Sequence, residues 1–194
     1  MKFDTFSANS LKILDKSVEE FEKKYIHKLD FFSQKSEEAK IGEKIHALIC
    51  QYLLGFDVKK LINCLNKNEK ELFLKFSDIF FTNENFIKIE ENFLVKEKYL
   101  DKVFYLSGRF DAIAKENDEI IIYDWKMKNI PKNPENDLQT IVYLNCGAKI
   151  FNTQKISLCY FSLENQEKCK INYDPNKNYI EVIGKIIKKL PNNH

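Results

Sequence analysis

The chain has 194 residues, 44% hydrophobic and 31% charged, with only 5 Gly and 4 Pro, a globular composition that excludes collagen-like, disordered and disulfide-stapled classes. Its 31 basic residues against 29 acidic ones are too evenly balanced to argue for a nucleic-acid partner alone. Every basic residue except Arg109 is Lys, so runs of Lys reflect composition before function.

Cys50, Cys64, Cys146, Cys159 and Cys169 form no Cys-x-x-Cys pair, which reads as reduced thiols in a cytoplasmic protein. No stretch approaches the roughly 18 apolar residues of a membrane span. The opening segment, carrying Asp4 and Asp15, is read as no secretory signal. Without repeats or Gly/Ser linkers, one domain is expected over residues 1–194, helical to about 82 and α/β from about 83.

Leu11, Leu14, Val18, Phe21, Tyr25 and Leu29 recur at helical steps and predict one helix over 10–29. A second runs from Ser36, with Glu37 and Glu38 in its first turn, to about Leu54. Shorter helices are expected over 58–66 and 69–80. Segments 86–95, 103–114 and 119–126 are rich in Phe, Ile, Tyr and Val and predict an antiparallel meander, with a hairpin turn at Asn117-Asp118. Asn133-Pro134 predicts a helix start running to about Lys149. Strands follow over 155–163 and 169–173, and Asp174-Pro175 predicts the cap of a closing helix to about Leu190. The expected fold is α/β, a mixed central β-sheet flanked by helices.

Alternation along 119–126 places Ile120, Ile122, Asp124 and Lys126 on one strand face, so an apolar run leads into a carboxylate beside an ammonium. In this composition about four or five acidic-x-Lys matches arise by chance, so the tripeptide carries little alone. Asp111, on the preceding strand, falls at comparable height across the hairpin. Two carboxylates converging at a strand end beside a Lys make a hard-cation site for Mg²⁺ or Mn²⁺. On the second helix, His46 lies at the edge of the core face formed by Ile41, Ile45, Leu48 and Tyr52, one turn from Gly42. Gln139 and Tyr143 stand four apart on the helix after the Asp-x-Lys strand, with Gly147 one turn further.

Together and in this order, Gly42 to His46, Gly108-Arg-Phe-Asp111, Asp124-Trp-Lys126 and Gln139-Thr-Ile-Val-Tyr143 resemble the RecB-type branch of the PD-(D/E)XK nuclease superfamily. The resemblance implies a restriction-endonuclease-like core and a Mg²⁺- or Mn²⁺-dependent deoxyribonuclease acting in DNA repair, recombination or defence. Asp111 and Asp124 are then metal ligands, and the resemblance adds His46 and the backbone carbonyl of Trp125. Lys126 positions or helps deprotonate the attacking water; Gln139 and Tyr143 hold Lys126 and the DNA backbone.

Several relatives carry four cysteines around an iron–sulfur cluster, one near the N-terminal helix and three downstream. This chain has no Cys before Cys50 and no tight downstream group, so no cluster is expected. No Walker-type Gly-x-x-x-x-Gly-Lys occurs either, so a helicase would be a separate partner. The alternative reading is a non-catalytic DNA-binding or scaffolding module with a nuclease-like fold.

Overall fold

A computed structural model describes residues 3–29, 36–80 and 86–191. The boundary expected near residue 82 lies outside the described residues.

The described strands are β1 (Thr5–Phe6), β2 (Phe86–Tyr99), β3 (Lys102–Glu116), β4 (Glu119–Lys126), β5 (Ile156–Ser162) and β6 (Glu167–Asn172). They form one mixed sheet: β2, β3 and β4 antiparallel, β4 and β5 parallel, β5 and β6 antiparallel. The β3–β4 hairpin turns at Asn117 and Asp118, both at positive φ, as a two-residue turn of this hand requires. A parallel β4–β5 pair needs a crossover, and α6 (Leu138–Ile150) supplies it.

Helices cover both faces, giving three layers. On one face α1 (Ala8–Lys16), α6 and α7 (Tyr179–Ile187) pack over Ile120, Ile122, Leu158 and Tyr160. On the other, α3 (Glu37–Leu53) and α5 (Lys67–Ile79) cover Ile121, Tyr123, Trp125, Cys159 and Phe161. Strict alternation along β4 therefore splits its residues between two cores. Among the described residues, no helix is long and apolar enough to cross a membrane.

Several predicted elements are corrected. The first helix is broken: Ser17 is extended (φ −156°), and its side chain caps α2 (Val18–Phe21), which runs into a wider turn over Glu22–Ile26. Asn133-Pro134 opens only a short tight turn, and Asp137 caps α6 by accepting the Gln139 amide at 2.8 Å. Asp174 accepts the Asn176 amide in a local turn, while Asn178 caps α7 through the Glu181 amide. In both cases the Asx-Pro sequence makes a turn, and an Asx residue four positions after the first begins the helix. Strand β1 lies ahead of the predicted first helix, within the N-terminal part expected to be helical, and pairs in parallel with β3.

One feature of the sheet positions the site. From Lys102 to Ala114, β3 pairs with β2 on one edge. Its other edge is shared: β4 pairs with Ala112–Glu116, and β1 with Tyr105 and Leu106. Between these two ladders the edge from Ser107 to Asp111 is unclaimed by either strand, and the sheet forks.

The β2–β3 ribbon also changes sides there. Phe93, Val95, Leu106 and Phe110 enter the α6 core, whereas Phe86, Ile89, Ala112 and Ala114 enter the α3 core. The inside–outside alternation reverses at the Glu90/Asp111 level, and Glu90 has φ +53°, rare for a non-glycine residue.

Candidate active site

The fork brings residues from both faces of the sheet together. Asp111 lies in the buried run that begins at Phe110, and its Oδ2 accepts the Trp125 amide hydrogen at 2.9 Å. The same oxygen lies 3.5 Å from His46 Nδ1. His46 stands on α3, whose Ser36 cap accepts the Ala39 amide and whose Ile45, Leu48 and Ile49 are buried against the sheet. Burial of this helix face places the imidazole at the site's edge.

Asp124 and Lys126 share the α6 face of β4, and Gln139 holds both. Lys126 Nζ donates to Gln139 Oε1 at 2.9 Å, and Gln139 Nε2 donates to Asp124 Oδ1. Only one orientation of the amide satisfies an ammonium and a carboxylate at once. Asp124 Oδ2 lies 2.6 Å from Lys126 Nζ yet is buried and accepts no hydrogen bond, so this contact is an ion pair off hydrogen-bond alignment. The ammonium also sits 5.3 Å from the centre of the Tyr160 ring, whose hydroxyl is fixed by Thr140 at 2.8 Å.

Tyr143 has a different partner from Gln139's ions. Its hydroxyl donates to the Arg109 carbonyl at 2.7 Å, and its ring meets Phe93 and Phe110 edge-on at 5.7 and 5.1 Å. This fastens α6 to the strand segment that carries Asp111. Gly108 belongs to the same cluster: a Cβ there would lie 2.5 Å from Phe93 Cζ, so the ring occupies the missing side chain's place.

The electrostatics follow from burial. Burial pushes the Asp124 carboxyl up to about 6, with Asp111 adding to the effect and Lys126 opposing it. Burial works against a charged His46, but the carboxylates of Asp111, Asp124 and Glu90 outweigh it and raise its pKa. Burial raises the Glu90 carboxyl, against the Arg109 guanidinium. Three carboxylates therefore share a poorly solvated site whose nearby positive charges are Lys126, Arg109 and a protonatable His46. With His46 neutral, three carboxylates face two fixed positive charges, a surplus of oxygen ligands and negative charge that fits a divalent cation.

His46, Asp111, Asp124, Lys126, Gln139 and the Trp125 backbone meet at the fork. Tyr143 adjoins them through the Arg109 backbone. Two residues were not singled out from the sequence. Glu90 joins His46 and Asp111 in a group whose ligand atoms lie within 4.8 Å of one another; no pattern marks a glutamate at that backbone conformation. Asp137, which caps α6 one residue before Leu138 and binds Lys12 of α1 at 2.8 Å, carries an ordinary cap signal, masked by the nearby Asn133-Pro134. Cys146 and Cys159 belong to cores on opposite faces of the sheet.

A mixed sheet between helical layers, forked beside a carboxylate pair and a lysine, defines the nuclease-like α/β class. The sequence profile of the PD-(D/E)XK nuclease superfamily matches residues 5–190, and the chain belongs to that superfamily. The crystal structure of a protein called SSO0001 is similar in fold, with TM-score 0.59 and 16% identity over 99% of this chain and 79% of that one. No curated protein matches the chain.

Proposed function

We propose that this protein is a metal-dependent deoxyribonuclease of the RecB-like branch, cleaving phosphodiesters by in-line attack of water. The observation that carries this reading is the meeting of His46 and Asp111 with the Gln139-bridged Asp124/Lys126 pair at the fork. His46, Asp111, Asp124 and the Trp125 carbonyl would hold Mg²⁺ or Mn²⁺. When bound, the ion activates water and offsets charge on the phosphoryl oxygens.

Asp111 orients the β4 edge through the Trp125 amide. Lys126, kept in place by Gln139 and backed by Tyr160, positions the attacking water and balances the negative charge left on it when its proton passes to solvent. Gln139 bridges the ammonium and the Asp124 carboxylate and holds the two paired side chains in place. Tyr143 sets the height of Asp111 through the Arg109 carbonyl. DNA repair, recombination or defence is the proposed setting, with any helicase on a separate chain.

The test incubates purified protein with end-labelled linear and with circular DNA in Mg²⁺, Mn²⁺ or EDTA. Cleavage with either ion and none in EDTA is expected. Mn²⁺ should serve at least as well as Mg²⁺, because an imidazole ligand suits it better. DNA binding with no cleavage under any condition would instead identify a non-catalytic DNA-binding module.

A further inference from the structure

We propose that Glu90 is a further ligand of the divalent cation, closing the site with His46 and Asp111 on the α3 side; this rests on the metal-dependent reading above. The ligand atoms of these three residues lie within 4.8 Å of one another. Oxygen and nitrogen donors about 2.1–2.5 Å from one cation are necessarily grouped on this scale. Asp124 lies outside that group, with its oxygens turned to Gln139 and Lys126. The cation thus has a ligand set on the α3 side in addition to the strand-end carboxylate.

The ribbon geometry delivers Glu90 there. The ladder pairs Glu91 with Phe110 and Ile89 with Ala112, so Glu90 stands opposite Asp111, at the level where both strands exchange cores. Glu90 and His46 then line one groove of about 670 Å³, together with Gly42, Ala47 and Arg109. The small residues leave an open approach to Glu90 and His46.

Arg109 Nη1 lies 2.5 Å from Glu90 Oε2. A carboxylate has about four lone-pair directions, so this contact leaves donor capacity for a cation. A purely structural Arg109–Glu90 pair would account for neither the second carboxylate facing Glu90 across the ribbon nor the imidazole beside it. Like charges placed opposite each other destabilise a sheet, and a bound cation reverses that sign.

The experiment titrates Mn²⁺ by calorimetry into the wild-type protein and into Glu90→Gln, Glu90→Asp, His46→Ala and Asp111→Asn, with cation-free melting temperatures recorded for each. Glu90→Gln should weaken Mn²⁺ binding by about tenfold or more, at least the loss that follows from altering a mere partner of a metal ligand. Its cation-free melting temperature should stay near the wild-type value. Glu90→Asp keeps the charge that Arg109 needs but shortens the reach, so it should bind Mn²⁺ more weakly than wild type and melt normally; it carries the test if the Gln variant fails to fold. Wild-type affinity in both Glu90 variants, with loss in His46→Ala and Asp111→Asn, overturns the role of Glu90 and leaves the nuclease reading standing. No Mn²⁺ binding by the wild-type protein overturns both.

Discussion

Asp111 Oδ2 accepts the amide hydrogen of Trp125 at 2.9 Å, one step beyond Ala112–Tyr123, where the β3–β4 ladder ends. A side chain thus continues what backbone pairing stops doing, and it couples the Gly-x-x-Asp and Asp-x-Lys segments directly. The same carboxylate serves the fold and the proposed cation.

These two duties should separate by substitution. Asp111→Asn keeps an acceptor oxygen for the Trp125 amide but loses the charge, so it should fold with little loss of stability and bind Mn²⁺ far more weakly. Asp111→Ala leaves a buried amide unpaired, which costs roughly 1–3 kcal/mol. Urea midpoints in EDTA compare the folds, and calorimetry reads the metal. Equal stability of the Asn and Ala variants would show that the amide bond contributes nothing.

The two motif glycines should respond differently to alanine. At Gly108 the new Cβ meets Phe93 Cζ at 2.5 Å and Cε1 at 2.8 Å, and that ring is stacked on Phe110 at 4.5 Å. With no room to move, Gly108→Ala should cost about 1–3 kcal/mol, as overpacking does, and disturb Asp111 three residues on. At Gly42 the nearest atom is Met127 Cγ at 3.4 Å, an ordinary contact with a flexible side chain. Gly42→Ala should therefore be neutral or stabilising by up to about 1 kcal/mol from helix propensity. Thermal melts of the two variants check both.

This contrast bears on what the sequence could convey. The face assignment of Ile120, Ile122, Asp124 and Lys126 was legible because a period of two admits one answer once the strand is recognised. Asp111 opposite Asp124 followed from the hairpin turn. Glu90 was not legible, since its place depends on a reversal of alternation shared by two strands, and nothing in Ile89-Glu90-Glu91 announces a left-handed backbone. Strand β1 was hidden for another reason: two residues have no period, and their pairing is fixed by the distant edge that β4 leaves free. Ser17 broke the first helix without breaking its apolar spacing, so periodicity alone ran through the break.

The bridge made by Gln139 predicts a division of labour between the charged residues of β4. Lys126→Ala should abolish cleavage and leave Mn²⁺ bound as tightly or tighter, because a positive charge beside the cation is removed. Asp124→Asn should abolish cleavage and weaken the metal. Gln139→Ala frees both ions of their shared partner, and a slower turnover with nearly intact Mn²⁺ affinity is expected. Near wild-type cleavage by Lys126→Ala would make the Asp-x-Lys tripeptide one of the chance matches that the composition produces.

The pH dependence has opposite signs with and without metal. The Asp124 carboxyl, at about 6 in the folded protein, has an unfolded value of about 3.9, so between these values the folded state holds a proton that the unfolded state has lost. Stability of the cation-free protein therefore falls as pH rises through about 4 to 6. His46, whose pKa is raised by its carboxylate neighbours, contributes stability that is full below about 6.5 and is lost as pH climbs through its folded value. In EDTA the urea midpoint should drop from pH 4.5 to pH 8, and Asp124→Asn should remove the lower part of that drop and be the more stable protein at neutral pH. Cation binding needs both groups deprotonated, so Mn²⁺ affinity should rise over the same range. Saturating Mn²⁺ should flatten or invert the stability profile of the wild-type protein and change that of Asp124→Asn less, through His46 alone; parallel profiles with and without Mn²⁺ for the wild-type protein would mean that the cation does not bind at these two residues.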